Sequence, residues 1–479
     1  MRTGVEINGL EDYNHLPDNL NRSKGDLVQG NRTRIAGGCV AINMGMLAAV
    51  FVIATSASPL PAATFTVTTS ADSGAGSLRQ AILDANSVAG VDTIDFAIPA
   101  GQCSAGGVCT ITLATSLPAA TEAVLLDGTT QPRYGSAPDN VCAGSDAPSY
   151  MRVLITSTAD FLLEILDTAE PTTIRGLAFT GDYPTMGIRI HTVATTRVQC
   201  NHFGLNGEGT TGIDLGRGIG LHWSHSGGGA IIGTDGDGVD DVAERNVFGS
   251  VGQAIYINAG SSLYPSWIAG NYFGFGADGT SPMDSSQGVY MRQSAAGNLV
   301  GSNLDGISDE LEHNVMGNLG IGVFLEVWSG VDYVNHVVGN WIGVDARGRP
   351  APNDYGIRVS GEARSQDIRA NQIHSNSIGI LIRDNGSLAT APGQNCIARN
   401  STGLQHEGTE VALYAENNYW GAADGPSGVG PGSGDSIVEA STGTVDYDPW
   451  LTSPVGVCTI VFVDGFESGD TTAWSNVVP

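Results

Sequence analysis

The sequence predicts an all-β solenoid, a coil of short strands stacked along one axis. Three observations carry this. First, Asn201-His-Phe-Gly-Leu-Asn-Gly-Glu-Gly-Thr recurs as Asn271-Tyr-Phe-Gly-Phe-Gly-Ala-Asp-Gly-Thr and as Asn340-Trp-Ile-Gly-Val-Asp-Ala-Arg-Gly-Arg, starts 70 and 69 residues apart. A long repeat of this kind marks a stacked architecture. Second, brief Gly-apolar-x-apolar units recur between them, as in Gly218-Ile-Gly-Leu, Gly288-Val-Tyr-Met and Gly356-Ile-Arg-Val. Their period of two is the strand signature. Third, 67 of 479 residues are Gly and only Lys24 is a lysine. Abundant Gly disfavours helices and suits tight corners.

The chain begins with a leader, residues 1–63. A basic flank (Arg32, Arg34) precedes the apolar run Met46-Leu-Ala-Ala-Val-Phe-Val-Ile-Ala54 and the small-residue stretch ending Leu60-Pro-Ala-Ala63. This is the layout of a secretory signal cleaved near Ala63. A spanning helix needs roughly 20 apolar residues, so no stable membrane span is expected in the mature chain. The 5 acids and 5 bases of the leader cancel, leaving the whole net charge of −28 downstream, where 16 arginines are the only bases. So acidic a chain is a poor partner for phosphate backbones, and nucleic acid is excluded.

Residues 64–150 read as an N-terminal α/β cap: a strand, a helix near 77–89 with apolar Leu78, Ala81, Ile82 and Ala85, then further strands. Its Gly76-Ser-Leu-Arg-Gln-Ala81, with Gly90-Val-Asp-Thr-Ile-Asp-Phe96 and Asp127-Gly-Thr-Thr-Gln-Pro132, resembles the CSLREA-type domain of exported bacterial proteins. Gly76 stands where that family has Cys, and Gln80 where it has Glu. Residues 151–425 hold the repeats. Three coils of about 23 residues fit the 70-residue period, giving about a dozen rungs between Met151 and Trp420 at ~4.8 Å each. A β-propeller, with blades of about 40–50 residues, is the rival and fits the period less well. The repeats and Asn417-Asn-Tyr-Trp-Gly-Ala-Ala-Asp-Gly-Pro426 resemble right-handed parallel β-helix proteins of the pectin-lyase-like kind. That resemblance implies a right-handed parallel β-helix but no single activity, since such folds host lyases, hydrolases, adhesins and tail spikes. Residues 426–456 close the coil. The acidic segment 457–479 resembles a C-terminal sorting tail of exported proteins; a terminal hairpin is the other reading.

Six cysteines remain after the leader: Cys103, Cys109, Cys142, Cys200, Cys396 and Cys458. An even number in an exported chain fits disulfides. Cys103 and Cys109, flanking a short Ser/Gly loop, are the expected pair; the other four are open, and buried free thiols are the alternative.

Two regions suggest chemistry. In Gly233-Thr-Asp235-Gly-Asp237-Gly-Val-Asp-Asp241-Val-Ala-Glu244 and Gly301-Ser-Asn303-Leu-Asp305-Gly-Ile-Ser-Asp309-Glu-Leu-Glu312, oxygen side chains follow the spacing of an EF-hand loop. Asp235, Asp237, Asp241 and Glu244, and Asn303, Asp305, Asp309 and Glu312, are the candidate ligands, with calcium as the expected ion. The first position of each loop is Gly and no flanking helices are expected, so plain acidic turns are the competing reading. The second region is a surface. If the apolar residues of each unit face inward, then Arg189, His191, His222, Tyr256, Asn258, Tyr290, Arg292, Phe324, Glu326, Arg358 and Arg383 face outward. Arginine forks bind carboxylates and aromatic faces suit sugars. Arg189, His222, Tyr256, Tyr290, Arg292, Glu326, Arg358 and Arg383 are thus candidate ligand-binding residues for an acidic glycan, provided the units stack in one sheet. His191, His222 and His225 are weak acid–base candidates beside the reading as surface turns. Trp223, Trp267 and Trp328 read as rung-end packing rather than sugar platforms.

The expected function is an exported, monomeric, adhesin-like protein that binds polysaccharide or cell-surface glycans. The alternatives are a lyase or hydrolase of acidic glycans, for which carboxylates clustered beside arginine are needed, and a structural surface rod.

Overall fold

The computed structural model describes residues 62–142, 148–166, 171–191, 195–222, 229–258, 265–293, 295–327, 334–389, 393–408, 412–439, 444–455 and 458. The segment read as a secretory signal (residues 1–61), the tail apart from Cys458, and Trp223, His225 and Trp328 lie outside the described residues; so does the His222 side chain.

The described strands form three long parallel sheets of ten, ten and eleven strands, and a parallel pair, Ala412–Tyr414 with Thr444–Asp446. Each central turn of the chain contributes one strand to each long sheet, and the fold is a parallel β-helix. The first sheet starts with Thr64–Val67, Asp92–Phe96 and Val124–Asp127, and the second with Cys109–Leu113. The helix Leu78–Ala85 packs on the first two strands, with Leu78, Ala81, Ile82 and Ala85 buried. The Ser77 hydroxyl caps it by accepting the Gln80 N–H at 3.2 Å, as an N-cap serine does. Just before the cap, Gly76 has φ 76° and a Cβ there would lie 2.3 Å from Thr68 Oγ1. The Cys of the resembled motif does not fit this backbone.

The interior is a stack of like on like. Inward residues of the third sheet, Ile188, Ile219, Ile255, Val289, Val323 and Ile357, pair in register, and all are 0% exposed. In the second sheet Phe179, Phe203, Phe248 and Phe273 stack with centroids 5.2, 4.8 and 4.9 Å apart. Each such side chain contributes roughly 1.5–3 kcal/mol by leaving water.

Asparagine lines the corner between the first and second sheets. Asn201, Asn246, Asn271, Asn314, Asn340, Asn371, Asn395 and Asn418 occupy successive coils. The amide N–H of each donates to the Oδ1 of the next, at 2.8–3.1 Å. Seven are buried to within 2% and Asn418 to 3%. A second ladder, Asn353–Asn376–Asn400, ends on Asp435 at the corner between the second and third sheets. These amides satisfy the backbone that a buried corner would otherwise leave unpaired.

The coil count differs from expectation. Partners in the third sheet are 36 residues apart at Ile219/Ile255 and 34 at Ile255/Val289, Val289/Val323 and Val323/Ile357. They fall to 23 at Ile357/Ile380 and 24 at Ile380/Leu404. The 70-residue repeat is therefore two long coils, not three short ones. Insertions alternate: one coil carries an extra loop between the second and third sheets (206–214), the next between the first and second (234–245). Nine second-sheet strands, instead of a dozen, lie between Met151 and Trp420 among the described residues. At ~4.8 Å each they span about 40 Å.

Three disulfides are formed: Cys103–Cys109, Cys142–Cys200 and Cys396–Cys458. The first is the expected pair. The free-thiol reading fails for the other four cysteines as well. Among the described residues no helix is long and apolar enough to cross a membrane.

Candidate functional site

The outer face of the third sheet is made by the alternation of its strands. In Gly-apolar-x-apolar the two apolar residues point inward, so x points outward. The leading Gly has its own cause. A Cβ on Gly288 would lie 2.4 Å from the Gly322 carbonyl of the next coil, and Gly322 and Gly356 stand the same way. The coils meet backbone to backbone there, and only Gly fits.

All candidate ligand-binding residues fall in this one sheet. One outward column runs Glu164, Arg189, Gly220, Tyr256, Tyr290, Phe324, Arg358, Leu381. Beside it runs His222, Asn258, Arg292, Glu326, Ser360. Arg383 pairs in register with Glu407 one coil further on. His222 is placed by its backbone alone.

The aromatics are not open platforms. Tyr256, Tyr290 and Phe324 are 6%, 9% and 6% exposed and form a small cluster with Ile321. Tyr290 and Phe324 stack at 4.7 Å, and Tyr256 tilts against Tyr290 at 5.5 Å. Arginines lie over the ends of the cluster: Arg217 over Tyr256 at 4.6 Å and Arg358 over Phe324 at 4.5 Å. Cation–π contact and stem packing explain the cover. The rings therefore back the arginines rather than receive a ligand.

The arginines have carboxylate neighbours. Arg189 meets Glu164 at 2.6 Å, Arg292 meets Glu326 at 3.7 Å, and Arg383 meets Glu407 at 2.8 Å. Tyr290 donates its hydroxyl to Glu326. Burial and that carboxylate hold the Tyr290 phenol well above its usual range. His191 also lies near Glu164, at 3.6 Å. The guanidinium side chains of Arg292 and Arg383 stay 43% and 46% exposed. Glu164, Glu407 and Arg217 were missed in the sequence reading. Extending the period of two one coil each way places Glu164 and Glu407 outward, so the signal was present. Trp267, half-buried, donates its indole N–H to the Gly301 carbonyl at 2.8 Å, in a packing role.

A small groove lies at one margin of this sheet. Asp214, Asp284, Tyr183 and Ser250 help line a space of about 200 Å³.

The acidic insertions sit elsewhere, between the first and second sheets. In the first, the carboxylates of Asp235, Asp241 and Glu244 come within 4.8 Å of one another. Asp237 is exposed and accepts the Val239 N–H at 2.7 Å, outside the group. The EF-hand spacing thus brings together three of its four candidates. In the second insertion Asn303, Asp305 and Asp309 hydrogen-bond to the loop itself. A one-turn helix, Asp309–Glu312, forms there. The insertions share a frame: Glu244 Oε2 accepts the Asp235 N–H and Glu312 Oε2 accepts the Asn303 N–H, both at 3.0 Å. Burial, with Asp235 and Asp241 nearby, pushes the Glu244 carboxyl up to about 7. Burial pushes Glu312 up as well. The two insertions also meet, since a Cβ on Gly236 would lie 2.2 Å from Glu312 Oε1.

Compared with known proteins, the chain matches no family model and no curated sequence. What fold and geometry define is a parallel β-helix with an arginine- and carboxylate-lined outer face on its third sheet.

Proposed function

We propose that this is an exported, CSLREA-like, pectin-lyase-like β-helix protein that binds an acidic polysaccharide or cell-surface glycan along the outer face of its third sheet. The observation that carries the reading is the register of that face: Arg292, Arg358 and Arg383 stand on separate coils of one continuous sheet, with Arg358 lying over the stacked aromatic cluster. Their glutamate partners are compatible with binding. A part-exposed ion pair contributes only about 0–1 kcal/mol, so a ligand carboxylate exchanges for Glu326 or Glu407 at little cost. A bidentate fork then gains geometry as well as charge. Three disulfides and the signal-like leader support export.

A second reading is favoured by the groove at Asp214 and Asp284. These aspartates lie two coils apart, a backbone spacing of ~9.6 Å, just beyond the carboxyl separation of about 6.5–9.5 Å in inverting glycosidases. One experiment tests both. Immobilised uronate-rich polymers are challenged with the parent and with Arg292→Ala and Arg358→Ala variants, and reducing ends and unsaturated products are followed in the same samples. Binding by the parent that weakens in both variants is expected; unchanged retention ends the glycan-face reading. Product that appears with the parent and disappears in Asp214→Asn moves the function to the hydrolase.

A further inference from the structure

We infer that Asp235, Asp241 and Glu244 form a site for one hard divalent cation, calcium, that ties the first acidic insertion to the wall of the coil. The site is separate from the outer face of the third sheet and does not rest on the glycan reading.

Geometry comes first. Oxygens no more than 4.8 Å apart can share a central ion at about 2.4 Å, the calcium–oxygen distance. An independent observation points the same way. Asp241 is 4% exposed. Its Oδ1 accepts the Thr234 hydroxyl at 2.6 Å, while its Oδ2 is buried with no hydrogen-bond partner. Asp235 repeats the pattern. Its Oδ1 is buried and unpartnered, and its Oδ2 faces the Arg197 Nε only at 3.6 Å. Buried carboxylate oxygens without partners are costly and uncommon in folded proteins. Three carboxylates facing one guanidinium leave a local excess of negative charge that a cation removes.

The donor set selects the ion. All three ligands are carboxylate oxygens, the choice of calcium or magnesium rather than zinc or copper. Calcium accepts irregular sets of six to eight oxygens, and water and loop carbonyls can complete the shell. Magnesium demands a near-octahedral arrangement that a loop with three convergent carboxylates does not impose. The second insertion is an internal control. Asn303 replaces Asp235, and the Asn303 Oδ1 already accepts the Asp305 N–H at 2.8 Å. Both oxygens of Asp309 accept the Gly306 N–H at 3.2 Å. The chain itself occupies the Asn303 and Asp309 oxygens there, while Glu312 Oε1 stays buried without a hydrogen-bond partner. Among the described residues the other cluster with metal-ligand chemistry is His374 with Cys396 and Cys458, and its two cysteines are spent on a disulfide.

The test is calcium uptake by the full chain, measured by equilibrium dialysis and by thermal unfolding. The parent is expected to take up one Ca²⁺ per chain and to unfold at higher temperature with the ion. Asp241→Asn and Glu244→Gln should each weaken uptake about tenfold or more, as loss of a charged ligand does. Asp309→Asn, in the second insertion, should leave it within about twofold by the same reasoning. Asp241→Asn keeps the acceptor for Thr234. If it fails to fold, as read by circular dichroism, Glu244→Gln and the part-exposed Asp235→Asn report on the same site. No uptake by the parent at about 10 mM free Ca²⁺, above the range of weak extracellular modules, overturns the proposal. Uptake that survives every folded variant of the three residues overturns it too.

Discussion

Replacing Asn271 by alanine tests the claim that the asparagine ladder holds the corner of the coil. The Asn271 side chain makes five hydrogen bonds. Its Oδ1 accepts the backbone N–H and the Nδ2 of Asn246, at 3.2 and 3.0 Å. Its Nδ2 donates to the carbonyls of Ile232 and Ala269 and to Asn314 Oδ1, at 2.8, 2.9 and 3.1 Å. The residue is 0% exposed, so no bulk water replaces these partners. Truncation takes the acceptor from the Asn246 N–H and a donor from the Ile232 carbonyl. At about 1–3 kcal/mol for each buried group left without a partner, the loss comes to about 2–6 kcal/mol. That is a large part of the 5–15 kcal/mol typical of a folded domain. The assay is urea unfolding followed by far-UV circular dichroism, with the transition midpoint as the readout because stacked coils need not unfold in two states. Asn206→Ala is the control. Its Oδ1 accepts the Thr210 and Thr211 N–H groups in an exposed turn, where water can substitute, and a loss below about 1 kcal/mol is expected. A loss for Asn271→Ala no larger than that of the control would refute the argument that buried corner amides are structural.

Two further predictions concern the same scaffold. His202 and His374 are 0% and 2% exposed, and burial lowers both to about 4 from 6.5. The folded state thus keeps them neutral while the unfolded chain protonates below about 6.5. Their stabilisation is complete above pH 6.5 and is lost as the pH falls towards 4, by up to about 3 kcal/mol each. Glu244, raised to about 7, acts in the opposite sense. The readout is therefore the difference between parent and His202→Gln: a difference that stays flat between pH 4 and 7 rejects the assignment. The Cys142–Cys200 disulfide closes a separation of 58 residues. Chain-entropy arguments give such a crosslink about 4 kcal/mol. Cys142→Ala/Cys200→Ala should lower the urea midpoint accordingly, and a midpoint equal to the parent's rejects the estimate.

Much of the fold was legible because β-helix coils repeat chemistry as well as shape. The Gly-apolar-x-apolar units announced the third sheet, and the inward and outward faces follow from the period of two. The helix at Leu78–Ala85 was visible in its apolar spacing, although it ends four residues short of the expected position 89. The coil length was not legible. A 70-residue period divides into three short coils as readily as into two long ones, and only the pairing of Ile255 with Val289 tells them apart. Loops that leave and return to the same corner have no signature of their own in a repeat count.

The candidate sites divide in the same way. The composition of the outer stripe was readable, but its burial was not. Tyr256, Tyr290 and Phe324 alternate as exposed residues do, yet they are covered, with Arg217 and Arg358 lying over the end rings. Those arginines come from other coils, 39 and 34 residues away in the chain. The acidic insertions showed the right residue types at EF-hand spacing. Which carboxylates converge depended on how the chain turns between Thr234 and Glu244. Asp237 points to solvent, and buried oxygens of Asp235 and Asp241 are left without a hydrogen-bond partner. Sequence alone determined the solenoid class, because the repeat is written in the chain itself, and the alternation of faces and the Cys103–Cys109 pair, because these depend on neighbours a few residues apart. The tertiary structure decided coil length, the partners of the arginines and the convergence of Asp235, Asp241 and Glu244. Each of those depends on contacts between coils or across a folded loop, where local pattern carries no information about distance.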